Sequence, residues 1–425
     1  MPKKDFVAEL KWRNMLHDIT PGAAELLQRE TVKGYIGFDP TSDSLGVGNL
    51  VQVMTLLHFQ QCGHKPIALV GGATGMVGDP SGKSHERSML DEDTLMHNLA
   101  CQRKQLERFL DFDCGEISAE IVNNYDWFKD FSLLRFLREV GKNITVSNMY
   151  AKDSVQSRLE TGMSFTEFTY QLMQGYDFYY LWKNYGVKLQ MGGSDQWGNI
   201  VTGTELIRKK EGGEAHAITT PLIKKADGTK FGKTEKGNVW LDARRTSPYR
   251  FYQFWINASD EDVVNYIRIF SLKSREEIEA LEQAHAREPH LRILQKALAE
   301  EVTERVHSAD DLRRAKQTTE ILFGTSFEAF KQLSPQEIED AFDEDAIFRV
   351  PAKELETCDA VSLLSVVTGI YPSKGEARKA LQSHAVSINK QKINIDYKPT
   401  PATLLHNKYL LVQKGKKNYY LLVAT

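Results

Sequence analysis

The side chains best suited to chemistry in this chain are donors and cations gathered around glycine-rich turns. Gly46-Val47-Gly48-Asn49 precedes Leu50, Val53, Met54 and Leu57, which recur at helical spacing. A helix opened by glycines presents bare N–H groups and the positive end of its dipole, which suits an anion. Thr41 and Asn49 add side-chain donors there. A second turn, Gly71 to Ser84, offers Asp79 for an ammonium group and Lys83 and Arg87 for phosphates. It is not a P-loop, because Val77 stands where that motif needs its first glycine. A third, Gly192 to Asn199, carries Asp195, and an acidic residue after a strand commonly holds ribose hydroxyls. Lys224 to Thr234 is polar and lysine-rich, with Lys230, Lys233 and Thr234 able to reach a polyphosphate. Each feature alone also fits a connecting turn or a solvated loop.

A helix predicted from Ser164 adds a different kind of surface. Ser164 and Glu167 form a capping box, and Phe165, Phe168 and Leu172 make an apolar face. Tyr170, Gln174 and Asp177 fall at i, i+4 and i+7 and share another face. An aromatic hydroxyl, an amide and a carboxylate in one stripe can line a polar pocket, or face water.

These residues need elements to position them. Val32–Phe38, Pro66–Val70 and Val187–Met191 read as short strands, each running into one of the glycine turns. Three such junctions predict an α/β fold with a doubly wound parallel sheet and one shared crevice. Residues 4 to 30 read as a helical lead-in with a turn at Pro21-Gly22. Residues 91 to 111 read as a helix with Leu95, Leu99, Leu106 and Leu110 inward, and 131 to 140 as another. From Ser247-Pro248 the pattern is helical, with caps at Ser259 and Ser274 and with Leu291, Leu294, Leu298, Val302 and Val306 on one side. The acidic stretch Asp340 to Asp345 reads as a linker. The expected domains are therefore 1–225, catalytic; 226–345, the lysine loop and a helical domain; and 352–425, a basic tail.

Charge separates the tail from the rest. Residues 359 to 425 hold ten basic residues against three acidic ones, +7, while the whole chain is −3, so residues 1 to 358 carry −10. A basic helix from Pro372, a hairpin through Asn389-Lys390 and a strand pair at Tyr409–Val412 and Tyr419–Val423 suit contacts to RNA phosphates. The four cysteines lack metal spacing and read as reduced thiols. No apolar run approaches a membrane span, and the expectation is a soluble cytoplasmic protein with no membrane partner.

Two separated signals bring a resemblance. Gly46 to Asn49 occupies the place of the "HIGH" signature of class I aminoacyl-tRNA synthetases, and Lys230 to Thr234 resembles their "KMSKS" signature. With Tyr35 to Thr41, Gly192 to Asn199 and the basic tail, the chain resembles the bacterial-type tyrosyl-tRNA synthetases from end to end. The resemblance implies a Rossmann-like catalytic domain, a helical anticodon-side domain and an S4-like RNA-binding domain. It implies that Tyr35 and Asp177 bind the tyrosine phenol, that Asp79, Tyr170 and Gln174 hold its ammonium group, and that Gln196 lies near its carboxylate. Asp39, Gly46, Gly48, Asn49, Gly193, Asp195 and Lys233 would bind ATP. Thr41, Asn49, Lys83, Arg87, Lys230, Lys233 and Thr234 would stabilise charge on the leaving pyrophosphate. ATP is then a substrate that brings Mg2+, with no metal site in the protein. The implied partners are tRNA(Tyr), L-tyrosine and a second copy of the chain.

One departure stands out. The first His of the signature is Gly46 and the second is Asn49. Gly46 offers only backbone, so one phosphate contact is expected to be missing. A catalytically impaired RNA-binding relative is the alternative. A tryptophan-specific enzyme is disfavoured by the Tyr35 and Asp177 pair, since an indole has no phenolic hydroxyl.

Overall fold

The central strands of the N-terminal sheet are buried along most of their length. In the computed structural model, which describes residues 4–81, 90–158, 162–234, 237–324, 327–342, 346–415 and 418–425, six strands lie in the order β1-β6-β5-β2-β3-β4. They are β1 (Asp18–Ile19), β2 (Lys33–Phe38), β3 (Lys65–Val70), β4 (Glu120–Asn123), β5 (Leu189–Gly193) and β6 (His216–Thr220). All pairings are parallel except β1 against β6. Residues 66–70 of β3 are all buried, as a central strand covered on both faces requires. The short β1 interrupts what reads as a helical lead-in. It gives the sheet an antiparallel edge, and its two residues are too few to carry a strand signal of their own.

Two runs of consecutive strands, β2-β3-β4 and β5-β6, extend outward in opposite directions from the β2–β5 contact. That contact is the topological switch point, where the loops after β2 and β5 diverge and leave a crevice. The helix Val47–Gln61 crosses from β2 to β3, and the helix Trp197–Glu211 crosses from β5 to β6. The latter packs on the helix Phe165–Tyr185 through glycine: a Cβ at Gly203 would lie 2.7 Å from Phe178 Cβ. This close approach helps to seat the Ser164-capped helix, whose buried Phe178 and Leu181 join Tyr35, Ile67 and Leu69 in one hydrophobic core. Burying each such side chain contributes about 2 kcal/mol.

The chain falls into two compact units, residues 1–246 with 254–307, and residues 247–253 with 308–425. The helices Asp260–Phe270, Arg275–Arg287 and Ile293–Val306 thus pack with the first unit rather than forming a helical domain with the residues up to 345. Leu294, Leu298, Val302 and Val306 are inward as expected, but Leu291 lies in a separate short turn and is 40 % exposed. The expected helix at 91 to 111 spans Glu92–Leu106, so Leu110 is buried beyond its end.

The second unit holds a five-stranded sheet in the order β11-β10-β12-β13-β9. These are β9 (Ile347–Val350), β10 (Val386–Ile388), β11 (Gln391–Lys392), β12 (Tyr409–Lys414) and β13 (Asn418–Ala424). Asn389 and Lys390 turn the β10–β11 hairpin with φ of 49° and 67°, the left-handed pair that a two-residue turn of this hand needs. The stretch read as an acidic linker contributes structure instead. Asp340 ends the helix Pro335–Asp340, and Phe342 is buried in the core beside Tyr409 and Leu421; residues 343–345 lie outside the described residues. Three of the tail's cations are also committed internally. Lys390 donates to the carbonyls of Leu322 and Gly324, Lys408 to Glu339, and Lys414 to the Ile370 carbonyl. Lys374, Arg378, Lys379 and Lys392 remain exposed.

Candidate active site

The crevice at the switch point is a cleft of about 360 Å³. Twelve of the side chains and glycines singled out from the sequence line it: Tyr35, Asp39, Thr41, Gly48, Asn49, Asp79, Tyr170, Gln174, Asp177, Gly193, Asp195 and Gln196. Tyr35 comes from β2 itself and Asp39 and Thr41 from the loop after it. The Tyr170–Gln174–Asp177 stripe faces the cleft and not solvent.

Among the lining residues, Asp177 is 2 % exposed. Its carboxylate accepts from Asn124 Nδ2 at 3.0 Å and from Trp127 Nε1 at 2.9 Å. Burial pushes its pKa up to about 8, against the lowering effect of those two donors. Tyr35 Oη is buried and has no partner among the described residues. Burial, followed by the nearby Asp177 charge, raises its pKa well above the ordinary phenol value. The carbonyl oxygens of Gln174, Gln190 and Gln52, which line the same cleft, are likewise buried without a partner among the described residues. Buried polar groups are nearly always satisfied, so this group of orphans points to a ligand.

The centre is organised by Asp39 and Asp79. Tyr170 Oη donates to Asp39 Oδ2 at 2.7 Å, and Thr74 Oγ1 donates to Asp39 Oδ1 at 2.8 Å. Gly71 makes this possible, since a Cβ there would collide with both the Asp39 carboxylate and the Thr74 hydroxyl. Asp79 accepts from Gln196 Nε2 at 2.8 Å and from the Ser81 N–H at 2.9 Å. Gln196 also donates to Asp195 at 3.2 Å.

The glycine-opened helix differs from expectation in one respect. Gly46 is its N-cap, and its N–H donates to Asn49 Oδ1 at 3.1 Å. That N–H is therefore spent within the turn, and Gly46 does not line the cleft. Asn49 keeps its Nδ2 for other partners. Gly48, where a Cβ would meet nothing within 4 Å, stands open at the cleft wall.

Lys230 and Lys233 are exposed on their loop and do not line the cleft. Lys83, Arg87 and the Thr234 side chain lie outside the described residues. Among the described residues no group of three His, Cys, Asp or Glu is placed to hold a metal ion.

Sequence reading missed Asn124, Trp127, Thr74, Gln52 and Gln190. Asn124 follows the end of β4, a fourth strand-to-loop junction of the same kind as the other three. It is fully buried and links Thr74, Asp177 and the Ala73 N–H. The Asn123-Asn124 pair after a short apolar run is the signal that would have found it. Gln52 sits one turn beyond Asn49 and donates to Thr220 at 2.9 Å.

Comparison with known proteins agrees with this geometry. Residues 27–324 match the family described as tRNA synthetases class I (W and Y), and residues 337–422 match the tyrosine–tRNA ligase SYY-like C-terminal domain. The chain is 58 % identical over 423 residues to the tyrosine–tRNA ligase of Cytophaga hutchinsonii, covering 99 % of both chains. It is 56 % identical over 428 residues to that of Bacteroides fragilis, covering 99 % of this chain and all of the relative. A C-terminally truncated mitochondrial tyrosyl-tRNA synthetase of Aspergillus nidulans superposes with a TM-score of 0.67 at 30 % identity, over 75 % of this chain and 94 % of that one.

Proposed function

The chain belongs to the class I tRNA synthetases (W and Y), and from that premise we propose that it acts as a tyrosine–tRNA ligase through the cleft at the sheet's switch point. L-Tyrosine and ATP form tyrosyl-adenylate, and the 3′ end of tRNA(Tyr) then takes the tyrosyl group. The tyrosine carboxylate attacks the α-phosphorus and pyrophosphate leaves. No protein nucleophile is needed, so rate comes from positioning and from electrostatic stabilisation of the leaving charge.

The single observation that carries the assignment is the buried Tyr35 hydroxyl, without a partner among the described residues, together with the buried Asp177 carboxylate in the lining of the same cleft. A substrate phenol fits between one group that donates and one that accepts. A phenylalanine ring would leave both without that partner; tyrosine-activating enzymes are the reference case for discrimination of this kind. Asp79, Gln174 and Tyr170 would receive the ammonium group, with Gln196 near the carboxylate. Asp39, Gly48, Asn49, Gly193 and Asp195 would hold the nucleotide, with Gly46 shaping the turn. Thr41, Asn49, Lys83, Arg87, Lys230, Lys233 and Thr234 would stabilise the pyrophosphate. ATP would arrive as its magnesium complex.

The reading extends to partners. Exposed Lys374, Arg378 and Lys379 on one helix, with Lys392, support an S4-like RNA-binding role for residues 352–425. Leu133, Leu134, Leu137, Val146, Tyr150 and Phe165 are large apolar side chains left between 48 % and 76 % exposed in the first unit. So much uncovered apolar surface supports a homodimer. A monomer mass by light scattering at micromolar concentration would count against it. No helix among the described residues is long and apolar enough to cross a membrane. The likeness to bacterial tyrosine–tRNA ligases supports a cytoplasmic place for the protein.

The deciding experiment is ATP–pyrophosphate exchange with tyrosine, phenylalanine and tryptophan in parallel. Exchange with tyrosine alone is expected. No exchange with any of them would favour an RNA-binding relative without catalysis, and exchange with tryptophan would overturn the substrate.

A further inference from the structure

One side of the loop that carries Lys230 and Lys233 lies along one face of a helix. In the helix Asp260–Phe270, residues 262, 266 and 270 recur every four positions and so share a face. Asp262 Oδ1 accepts from the Ala226 N–H at 2.8 Å, near the start of the loop. Four residues further along that face, Tyr266 meets Phe231 with ring centroids 4.8 Å apart, and Phe270 stacks on Phe231 at 5.5 Å. Phe254 and Trp255 close the box at 5.8 and 5.9 Å. Phe231 is only 8 % exposed, although the lysines on either side of Phe231-Gly232 are exposed.

The next residue fixes the other side. Gly232 has φ of 78°, and its carbonyl accepts from the Val239 N–H at 2.9 Å. A Cβ there would lie 2.8 Å from Val47 Cγ2 and 3.1 Å from the Gly48 nitrogen. The backbone between the two lysines therefore rests on the first turn of the helix that opens at the cleft.

We propose that Phe231 is a positioning residue, a latch whose ring anchors the loop so that Lys230 and Lys233 are presented to the nucleotide from a fixed point beside Gly48. The lysines supply the charge; the ring supplies the address. This rests on the ligase reading, so one measurement is chosen that needs no activity.

Phe231→Ala and Phe231→Met test it. In the Ala variant, tyrosine-dependent pyrophosphate exchange should fall by about 100-fold, the scale of a small misplacement remote from the chemistry, while the tyrosine dissociation constant stays within about twofold. Trypsin cleavage after Lys230 and Lys233 in the free protein, read by mass, should be about tenfold faster or more, because cleavage follows the population of the released loop. Met, soft and apolar, should restore most of both. An unchanged exchange rate, an unchanged cleavage rate, or a loss of tyrosine affinity as large as the loss of rate would overturn the latch. Should the Ala variant not fold, Phe231→Leu is read by the same measurements. Should the parent chain show no exchange, the ligase reading fails, while the trypsin comparison still decides the latch.

Discussion

Asn124 donates to Asp177: its Nδ2 lies 3.0 Å from Oδ2 of a buried carboxylate that lines the cleft. The same amide nitrogen lies 3.0 Å from Thr74 Oγ1, which in turn donates to Asp39. A chain of hydrogen bonds thus ties the carboxylate proposed for the phenol to the carboxylate proposed for the adenylate.

Breaking that tie should act on tyrosine more than on turnover. Asn124→Ala removes a hydrogen bond to a carboxylate, worth about 2 kcal/mol, or roughly 30-fold. The KM for tyrosine in pyrophosphate exchange should rise by that order with kcat little changed, and discrimination against phenylalanine should shrink. Unchanged tyrosine KM would show that Trp127 alone holds the carboxylate.

Asp177 should give the unliganded protein a pH signature. Its folded pKa, about 8, is above the ordinary 3.8, so the folded state binds this proton more tightly than the unfolded chain. The stabilising effect is complete below the ordinary value. It is lost progressively as pH rises from about 4 towards 8, and no further above that. A substrate phenol donates more strongly to the ionised form of Asp177 than to the protonated one, so tyrosine affinity should strengthen as pH rises from 6.5 to 8.5. Urea unfolding of the unliganded protein between pH 4 and 8 checks the first effect, and calorimetric titrations of tyrosine from pH 6.5 to 8.5 check the second, with Asp177→Asn flattening both profiles.

Restoring a histidine at Gly46 should speed activation. The N-cap has φ −95° and ψ 169°, extended backbone that any residue adopts, and a Cβ there would lie 3.3 Å from the Val239 carbonyl and 3.8 Å from Asn49 Oδ1, so the Val239 backbone must give by a few tenths of an ångström. Gly46→His should raise the rate of pyrophosphate exchange by about 10-fold, a conservative figure for one added donor to a developing charge, with tyrosine affinity unchanged. No gain would mean that another group already fills that place.

Arg13 should matter for stability and not for chemistry. It is 2 % exposed, and its guanidinium donates to the carbonyls of Arg268, Ser271 and Lys273 and to Glu9. It thereby closes the C-terminal end of the helix on which the lysine loop lies. Arg13→Ala should cost about 3 kcal/mol, the lower end for breaking a buried charged cluster, seen as a lower midpoint in urea unfolding. Tyrosine affinity at low temperature should be retained.

Local pattern was enough for the parts of this protein that repeat with a period or punctuate the chain. The Ser164 and Ser274 caps, the buried run of β3 and the Asn389-Lys390 hairpin are each specified within a few residues, because caps, strand burial and turn handedness are short-range physics. The polar stripe at Tyr170, Gln174 and Asp177 was legible for the same reason, as was the charge asymmetry of the tail. Which of those groups face one another was decided only by the folded sheet. Nothing within ten residues of Asp177 announces Asn124, because their contact depends on the parallel order of β3 and β4 across 53 positions of chain. The commitment of Lys390 to backbone carbonyls, the use of the Gly46 N–H by its own turn, and the seat of Phe231 in an aromatic box are likewise long-range or geometric outcomes. A sequence lists donors, acceptors and rings. Tertiary packing decides which are already spent and which are left for a substrate, because satisfaction of a polar group is a property of its neighbours in space.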